Sequence, residues 1–302
     1  MIRRTSVFSL LIALCFQACA PHRPPAPPSP VAVAAPTRVA VPPAGAPSVW
    51  PASAPSIYAS SAILIDASNG EVLYQKNADI PRAVASTQKL LTALIVVERD
   101  PLDGIVVIQP EDVRVEPTKL GVRSGESYLR RELLASMLVK SCNDVATALG
   151  RSSAGSTAAF AMEMNERARQ LGAENSYFLN PSGLPAPQHS TARDMARIAY
   201  RAYRQPVLRL YMNLPAYSFR RTNGRTTVLK ATNKLLTRSP IYNGMKTGYT
   251  VAAGRCFIAS ASANGRDLIL VQLGSKTSEI FDDAELMLQW GFGQLGGASF
   301  GN

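Results

Sequence analysis

Residues 82–98, RAVASTQKLLTALIVVE, place a serine and a lysine three residues apart, Ser86 and Lys89, at the head of an apolar run. Leucine, isoleucine and valine then recur at the three-to-four spacing of a helix that packs on a core. Because residues three apart share one helix face, the side chains of Ser86 and Lys89 can meet at the N-terminus. Ser86 is therefore either a helix cap or a nucleophile that lysine activates.

The flanking sequence predicts strands at both ends of a domain and helices between them. Residues 61–77 surround Asn69-Gly70, the strongest local signal for a hairpin. Residues 127–138, 157–172 and 190–204 have helical periodicity, and Thr191 with Asp194 resembles a capping box. After Pro240 the period returns to strands, with a final helix over 278–290. One antiparallel sheet built from both chain ends, with an inserted helical subdomain, is expected.

The histidine count limits how a serine could be activated. His22 lies in a Pro- and Ala-rich segment, so only His189 could join a Ser-His-Asp triad or a zinc site. A metal site would need more ligands than His189, Cys142 and Cys256 supply, so no metal is expected and His189 is assigned a structural or loop role. The sequence contains no Gly-rich phosphate loop, so no nucleotide cofactor is expected. Lysine is the remaining activator.

Two further motifs decide between the cap and the nucleophile. KSCND supplies Ser141 and Asn143 directly after an apolar helix, and GMKTGYT supplies Lys246, Thr247 and Gly248 on a predicted strand. Ser-x-x-Lys, Ser-x-Asn and Lys-Thr-Gly in this order form the signature of penicillin-binding proteins and class A β-lactamases. The combination indicates that Ser86 is the nucleophile.

With these motifs the sequence resembles the serine-type D-Ala-D-Ala carboxypeptidases, the low-molecular-mass penicillin-binding proteins. NPSGL at 180–184 and HSTARDMA at 189–196 are typical of that family rather than of the β-lactamases. The likeness extends over residues 61–291. It implies an α+β fold of the β-lactamase/transpeptidase type, with an antiparallel five-stranded sheet.

The resemblance also implies catalytic roles. Ser86 would be acylated, Lys89 would be its base, and Ser141 would relay a proton to the leaving group. Asn143 would orient Lys89, while Lys246 would maintain the electrostatics of the site.

Substrate contacts are implied at the Lys-Thr-Gly strand and beyond it. Thr247 would bind the terminal carboxylate, Gly248 would allow close approach, and the backbone N–H of Tyr249 would complete the oxyanion hole with that of Ser86. Lys276 stands where relatives often carry an arginine that contacts the substrate carboxylate. Lysine keeps the positive charge but lacks the bidentate fork of arginine. Cys142 replaces a common glycine and is interpreted as a small apolar filler.

The expected activity is removal of the terminal D-Ala from peptidoglycan stem peptides, with irreversible acylation by penicillins. Cleavage of D-Ala-containing cross-links by an endopeptidase is an alternative that the motifs leave open. A class A-like β-lactamase is another, although the residues after Glu174 resemble the peptidase loop. The last alternative is a wall-binding module without turnover.

The N-terminus predicts export. Residues 1–20 have the layout of a signal peptide, with either cleavage after Ala20 or lipidation of Cys19. Residues 21–55 are a Pro/Ala-rich linker predicted to be disordered, and 56–302 the catalytic domain. Many relatives continue beyond the final helix into a second domain and a membrane-binding helix, which the N-terminal lipid would replace. Periplasm or cell envelope is the expected location.

The net charge of +11 suits an anionic surface. Lys and Arg are not clustered with aromatics, so nucleic acid is not an expected partner. The expected partners are the stem peptide and β-lactams, bound by a monomer that associates with a membrane through its N-terminus only. Cys142 and Cys256 could pair in an exported protein or remain buried thiols.

Overall fold

The computed structural model describes residues 53–276 and 278–295. Their elements, in chain order, are β1 (Ser61–Asp66), β2 (Val72–Lys76), a 3₁₀ turn (Ala85–Gln88), α1 (Lys89–Arg99), β3 (Ile105–Val107), β4 (Ser127–Leu129), α2 (Arg130–Lys140), α3 (Asn143–Ala154), α4 (Thr157–Gln170), α5 (Ala192–Tyr203), α6 (Pro206–Met212), β5 (Ala216–Arg220), β6 (Thr226–Lys230), a second 3₁₀ turn (Lys234–Thr237), β7 (Tyr242–Thr250), β8 (Gly254–Ala263), β9 (Arg266–Ser275) and α7 (Ile280–Gln294).

The central sheet joins the two ends of this region. Its five strands lie in the order β2-β1-β9-β8-β7, and every neighbouring pair is antiparallel. The turns of the β1–β2 and β8–β9 hairpins contain the Asn-Gly pairs of the sequence, with Gly70 and Gly265 at positive φ values of 82° and 73°. The predicted α+β architecture, with a five-stranded sheet and a helical insertion, is confirmed.

The sheet separates two hydrophobic cores. Ile63, Ile258 and Val271 point into a core shared with α1 and the helices of the insertion. Their neighbours in sequence, Leu64 and Leu270 among them, pack on α7. Since successive strand residues face opposite sides, these strands are apolar on both faces.

Some predicted boundaries were wrong. The helix expected over 127–138 begins only at Arg130, because residues 127–129 form β4 and pair with β3. The hairpin of β5 and β6 was missed, although Asn223-Gly224 marks its turn, with Gly224 at φ 82°. The insertion therefore contains two small β-ribbons as well as helices.

Within the described ranges, no helix is both long enough and apolar enough to cross a membrane. Cys142 and Cys256 are separate buried thiols. The predicted signal peptide, Cys19 and almost all of the linker lie outside the described residues, so the boundaries at 20 and 55 stay predictions.

Candidate active site

Ser86 lies in the 3₁₀ turn before α1 and does not cap a helix. No side chain caps either the turn or α1. The Ser86 hydroxyl is half-buried and donates to the carbonyl of Ser182 at 3.3 Å. Ala85, directly before it, has a positive φ of 50°, a conformation that few non-glycine residues adopt. The nucleophile is thus held on a strained turn rather than on a regular helix.

Lys89 is completely buried, and each of its three ammonium protons has an acceptor. The Nζ atom lies 2.8 Å from Ser86 Oγ and 2.7 Å from Asn143 Oδ1, and it also contacts the Ser182 carbonyl. Burial lowers the pKa of Lys89 well below its ordinary value, and the positive charge of Lys246 lowers it further. A neutral amine beside the serine hydroxyl is therefore accessible.

The loop at 180–184 is held against α1 by three consecutive carbonyls. Gln88 donates to the carbonyl of Asn180 at 2.5 Å, and Thr92 donates to that of Pro181 at 2.7 Å. Lys89 donates to the third carbonyl, that of Ser182. Sequence reasoning identified this loop as a family block but missed the Ser182 carbonyl, because backbone acceptors have no residue signature.

Lys246 projects from β7 toward the C-terminal end of α2. Its ammonium donates to Ser141 Oγ at 2.7 Å and to the carbonyl of Thr247 at 2.9 Å. Ser141 ends α2 in the left-handed region, at φ 67°, which turns its hydroxyl toward the lysine. Burial lowers the pKa of Lys246 to about 7.

Asn143 joins Lys89 to one wall of the site. While its Oδ1 accepts from Lys89, its Nδ2 donates to the carbonyl of Glu116 at 3.1 Å. Its backbone N–H donates to the carbonyl of Thr118 at 2.7 Å. The segment 116–118 is therefore positioned by the same residue that accepts a hydrogen bond from Lys89.

The wall continues beyond Lys119 with Leu120 and Gly121, whose backbone N–H and C=O groups are all hydrogen-bonded. The N–H groups of Leu120 and Gly121 donate to the carboxylate of Asp144, at 2.9 and 2.8 Å. Their carbonyls accept from Arg221, at 2.8 and 3.1 Å. Asp144 and Arg221 therefore clamp the wall from opposite sides, and neither was a predicted site residue.

Two glycines allow backbone segments to meet at the nucleophile. A Cβ on Gly183 would lie 2.1 Å from the carbonyl oxygen of Ala85, and a Cβ on Gly248 would lie 2.8 Å from the backbone nitrogen of Ser86. Neither distance is tolerable for a side chain. Gly248 therefore allows β7 to lie against the backbone of Ser86, while its predicted role in the approach of the substrate stays a prediction.

Ser86, Ser141, Asn143, Gly183 and Gly248 line a cleft with a volume of 420 Å³, which is also lined by Thr247, Tyr249 and Arg255. Among the described lining residues there is no carboxylate, while Lys234 and Arg255 are exposed cations. The Arg255 guanidinium lies 5.6 Å from the ring centroid of Tyr249. The cleft is thus electropositive.

Three other residues considered from the sequence, Lys276, Cys142 and His189, do not line the cleft. Lys276 is exposed after β9 and is not one of the lining residues. Cys142 is completely buried, and burial raises its pKa to about 12, so the thiol remains neutral. His189 is exposed on a loop, where its backbone pairs with Tyr177. No group of residues able to hold a metal ion occurs in the described part of the chain.

Comparison with known proteins gives the same assignment. The family described as D-alanyl-D-alanine carboxypeptidase matches residues 49–277. The D-alanyl-D-alanine carboxypeptidase DacB2 of Mycobacterium tuberculosis is 33% identical, over 77% of this chain and 82% of its own. A D-alanyl-D-alanine endopeptidase of Pseudomonas aeruginosa is 32% identical over 73% of each chain. The crystal structure of a Streptomyces DD-transpeptidase gives a TM-score of 0.75 at 27% identity, covering 80% of this chain and 100% of that one.

We predict that Arg221→Ala reduces the rate of Ser86 acylation by a fluorescent penicillin about tenfold, because the wall that Asn143 contacts loses its outer anchor. Arg221→Lys should restore part of this rate. The adjacent exposed Arg220→Ala is the matched control. Equal rates in Arg221→Ala and Arg220→Ala would contradict a positioning role for Arg221.

We also predict that Lys246→Met raises the melting temperature by a few degrees at pH 6, corresponding to about 1 kcal/mol. The pKa of Lys246 is about 7 in the folded protein and 10.5 ordinarily. Its buried charge therefore destabilises the fold fully below pH 7, and the cost decreases as pH rises toward 10.5. The increase in melting temperature of Lys246→Met relative to wild type should be smaller at pH 9 than at pH 6.

Calorimetry at both pH values tests this dependence, with the exposed Lys230→Met on β6 as the control. A stabilisation that does not change between pH 6 and pH 9 would show that the buried charge is not its origin.

Proposed function

This chain belongs to the D-alanyl-D-alanine carboxypeptidase family, and on that basis we propose that it removes the terminal D-alanine of peptidoglycan stem peptides through an acyl-enzyme on Ser86. The observation that carries the proposal is the buried Lys89 amine, 2.8 Å from Ser86 Oγ. Lysine replaces histidine as the base because the surroundings lower its pKa.

Acylation begins when neutral Lys89 takes the proton of Ser86. The oxygen of Ser86 then attacks the carbonyl of the penultimate D-alanine. The backbone N–H of Ser86, which faces Gly248, is placed to stabilise the developing oxyanion together with that of Tyr249. Asn143 holds Lys89 in this orientation through its Oδ1 atom.

Ser141 delivers the proton to the leaving nitrogen. Because its oxygen accepts from Lys246 at 2.7 Å, the hydroxyl proton of Ser141 is directed away from the lysine and can be donated. The C–N bond breaks, D-alanine departs as a free amine, and Ser141 regains a proton from the ammonium of Lys246, which donates to it. Water then hydrolyses the ester, which regenerates the Ser86 hydroxyl and gives the shortened peptide a new carboxylate.

The electropositive cleft supports a substrate with a free terminal carboxylate. Thr247, on the edge strand β7, is half-buried and lines the cleft, and its hydroxyl lies 2.6 Å from that of Thr232. We assign the carboxylate to Thr247, with Lys276 as the more distant cation. Arg255 lines the cleft itself and adds a guanidinium that the motifs did not predict.

The same cleft argues against a β-lactamase. Class A enzymes deacylate with a glutamate that activates water. Glu174 is exposed on the loop after α4 and does not line the cleft, where the described residues include no carboxylate. The acyl-enzyme formed by a penicillin should therefore persist.

We further propose that the protein is exported to the periplasm or cell envelope, where its substrate lies. The support is the signal-like layout of residues 1–20. Lipidation of Cys19 would anchor the catalytic domain to a membrane through the Pro/Ala-rich linker. We propose a monomer, because one chain supplies all five catalytic residues.

We predict that the purified protein is labelled by a fluorescent penicillin and releases D-alanine from diacyl-Lys-D-Ala-D-Ala. Ser86→Ala should abolish both, because Ser86 supplies the one hydroxyl that accepts a hydrogen bond from Lys89 within the described residues. The matched control is Ser218→Ala, on the exposed face of β5, which should retain both activities. Penicillin labelling without any release of D-alanine would exclude the carboxypeptidase.

For the anchor, we predict that Cys19→Ala transfers the protein from the membrane fraction to the soluble fraction and lowers its apparent mass. Fractionation followed by mass spectrometry measures both. Unchanged association and mass in Cys19→Ala would rule out lipidation at this cysteine.

A further inference from the structure

Between Asp194 and Asp267 the sequence contains no acidic residue, although lysine and arginine recur throughout this stretch. Some of its cations pair with carboxylates that lie at or beyond the two ends of the stretch: Arg197, Arg201, Arg209, Arg238 and Arg266. The β5–β6 hairpin lies in the middle of the stretch, and its charges are therefore all positive.

Three cations of this hairpin have free side chains. Arg220 ends β5, Arg225 directly precedes β6, and Lys230 ends β6, and all three are exposed. Within the described residues, no ion pair or side-chain hydrogen bond involves any of them. The carboxylate of Glu126 contacts the hairpin at Thr222 instead, at 3.3 Å.

The outer side of the hairpin is defined by the alternation of its two strands. Its exposed residues pair across the strands as Ala216 with Lys230, Ser218 with Val228, and Arg220 with Thr226. We call this side, together with Arg225 at the turn, the basic face. It contains no aromatic residue and a single large apolar side chain, Val228.

The basic face has a rigid support. The residues that alternate with it point inward, and the exposed fractions of Phe219 and Leu229 in the core are 0% and 5%. The ring of Phe219 packs against that of Tyr128, with centroids 5.1 Å apart. A ligand would therefore meet a surface that needs no ordering of the backbone.

The hairpin is joined to the cleft at both of its ends. Beyond β6 the chain reaches Thr232, which lines the cleft and whose hydroxyl lies 2.6 Å from that of Thr247. At the turn, Arg221 donates to the carbonyl of Gly121 at 3.1 Å, in the wall whose residue Thr118 also lines the cleft. The cations of the basic face do not line the cleft themselves. The face is therefore a separate surface beside it.

The spacing of these cations suits a polymer rather than a small ligand. Because Arg225 precedes β6 and Lys230 ends it, their Cα atoms are about 17 Å apart along an extended strand. A ligand that contacts both needs negative charges repeated over that distance. A glycan strand that carries stem peptides has such a repeat, since each stem offers carboxylates.

We propose that the basic face is a second binding site for peptidoglycan, outside the cleft. It would hold the carboxylates of stem peptides adjacent to the one in the cleft, on the same glycan strand. The inference rests on the proposed acyl-enzyme function and adds recognition of the polymer to it. A membrane surface fits less well, because a face with only Val228 to insert lacks the aromatic and leucine side chains of interfacial elements.

The two contacts reinforce each other. Each exposed ion pair is weak by itself. Once a stem peptide occupies the cleft, however, contact of the same strand with the basic face becomes intramolecular. The face should therefore lower KM for polymeric peptidoglycan and leave cleavage of a small soluble peptide unchanged.

The test measures co-sedimentation of the full chain with purified insoluble peptidoglycan. All proteins carry Cys19→Ala, so that no lipid contributes, and all are first acylated with penicillin, so that the cleft is filled. The protein with an intact basic face should still sediment, less so as salt is raised. Arg225→Glu combined with Lys230→Glu should raise the apparent Kd about tenfold, because attraction becomes repulsion. Lys230→Arg should retain binding.

The matched control is Arg99→Glu combined with Arg169→Glu, which makes the same change in net charge on α1 and α4. These side chains are 49% and 67% exposed. The control pair should bind peptidoglycan as the parent does. Both pairs should release D-alanine from diacyl-Lys-D-Ala-D-Ala within about twofold of the parent, while the Arg225/Lys230 pair alone shows a higher KM on insoluble peptidoglycan.

Equal binding by the two charge-reversed pairs would overturn the assignment of the basic face. Loss of sedimentation after acylation would show that the cleft alone binds the polymer, and tighter binding to phosphatidylglycerol vesicles than to peptidoglycan would show a membrane surface instead. Absence of penicillin labelling in the parent protein would overturn the proposed function itself.

Discussion

The buried ammonium group of Lys89 is the interaction on which the rest of the structure depends. A cation without access to water is tolerated only if its protons are all accepted. Lys89 meets this condition with oxygens from three separate segments: Ser86 in the turn before α1, Asn143 at the start of α3, and Ser182 in the loop before α5. Satisfying one buried charge therefore assembles the nucleophile, the orienting amide and the far wall of the site.

A second buried lysine makes the first one reactive. Lys246 reaches the site from the opposite end of the chain, and its charge helps to keep the pKa of Lys89 low. A carboxylate in this cleft would have the reverse effect, and none lines it among the described residues. The neutral thiol of Cys142 fits beside both lysines without contributing charge. The two buried amines lower the free energy of unfolding relative to a hydrophobic pair, because burial removes them from water. The site is therefore less stable than it could be, while its lysine is more reactive.

The position of β7 at the edge of the sheet explains why the cleft can be long. An edge strand has no neighbour on one side, so its backbone and side chains remain open to a ligand. Gly248 brings this edge against the nitrogen of Ser86, and Tyr249 continues it with an exposed fraction of 62%. Around the same edge the cleft reaches the start of α7, where Ile280 and Phe281 line it.

The sequence by itself determined the chemistry and the outline of the fold. The spacing of Ser86 and Lys89, together with the Ser-x-Asn and Lys-Thr-Gly motifs, predicted five catalytic residues, and the structure places them in contact with one another in two groups. The Asn-Gly turns and the short apolar runs of β1, β8 and β9 indicated a sheet made from both chain ends. These signals are local, because each depends on residues within one turn or one strand. The β5–β6 hairpin had such a signal at Asn223-Gly224 and could have been predicted from it.

Only the tertiary structure decided which distant groups complete the site. The Ser182 carbonyl, the clamp of Asp144 and Arg221, and the position of Lys234 beside Phe281 all involve partners far apart in the chain. A backbone carbonyl has no residue type to recognise, and an exposed arginine or lysine has the same local pattern whether or not it faces a cleft. The pKa values of Lys89 and Lys246 likewise depend on burial and on mutual distance. Those quantities exist only once the chain has folded.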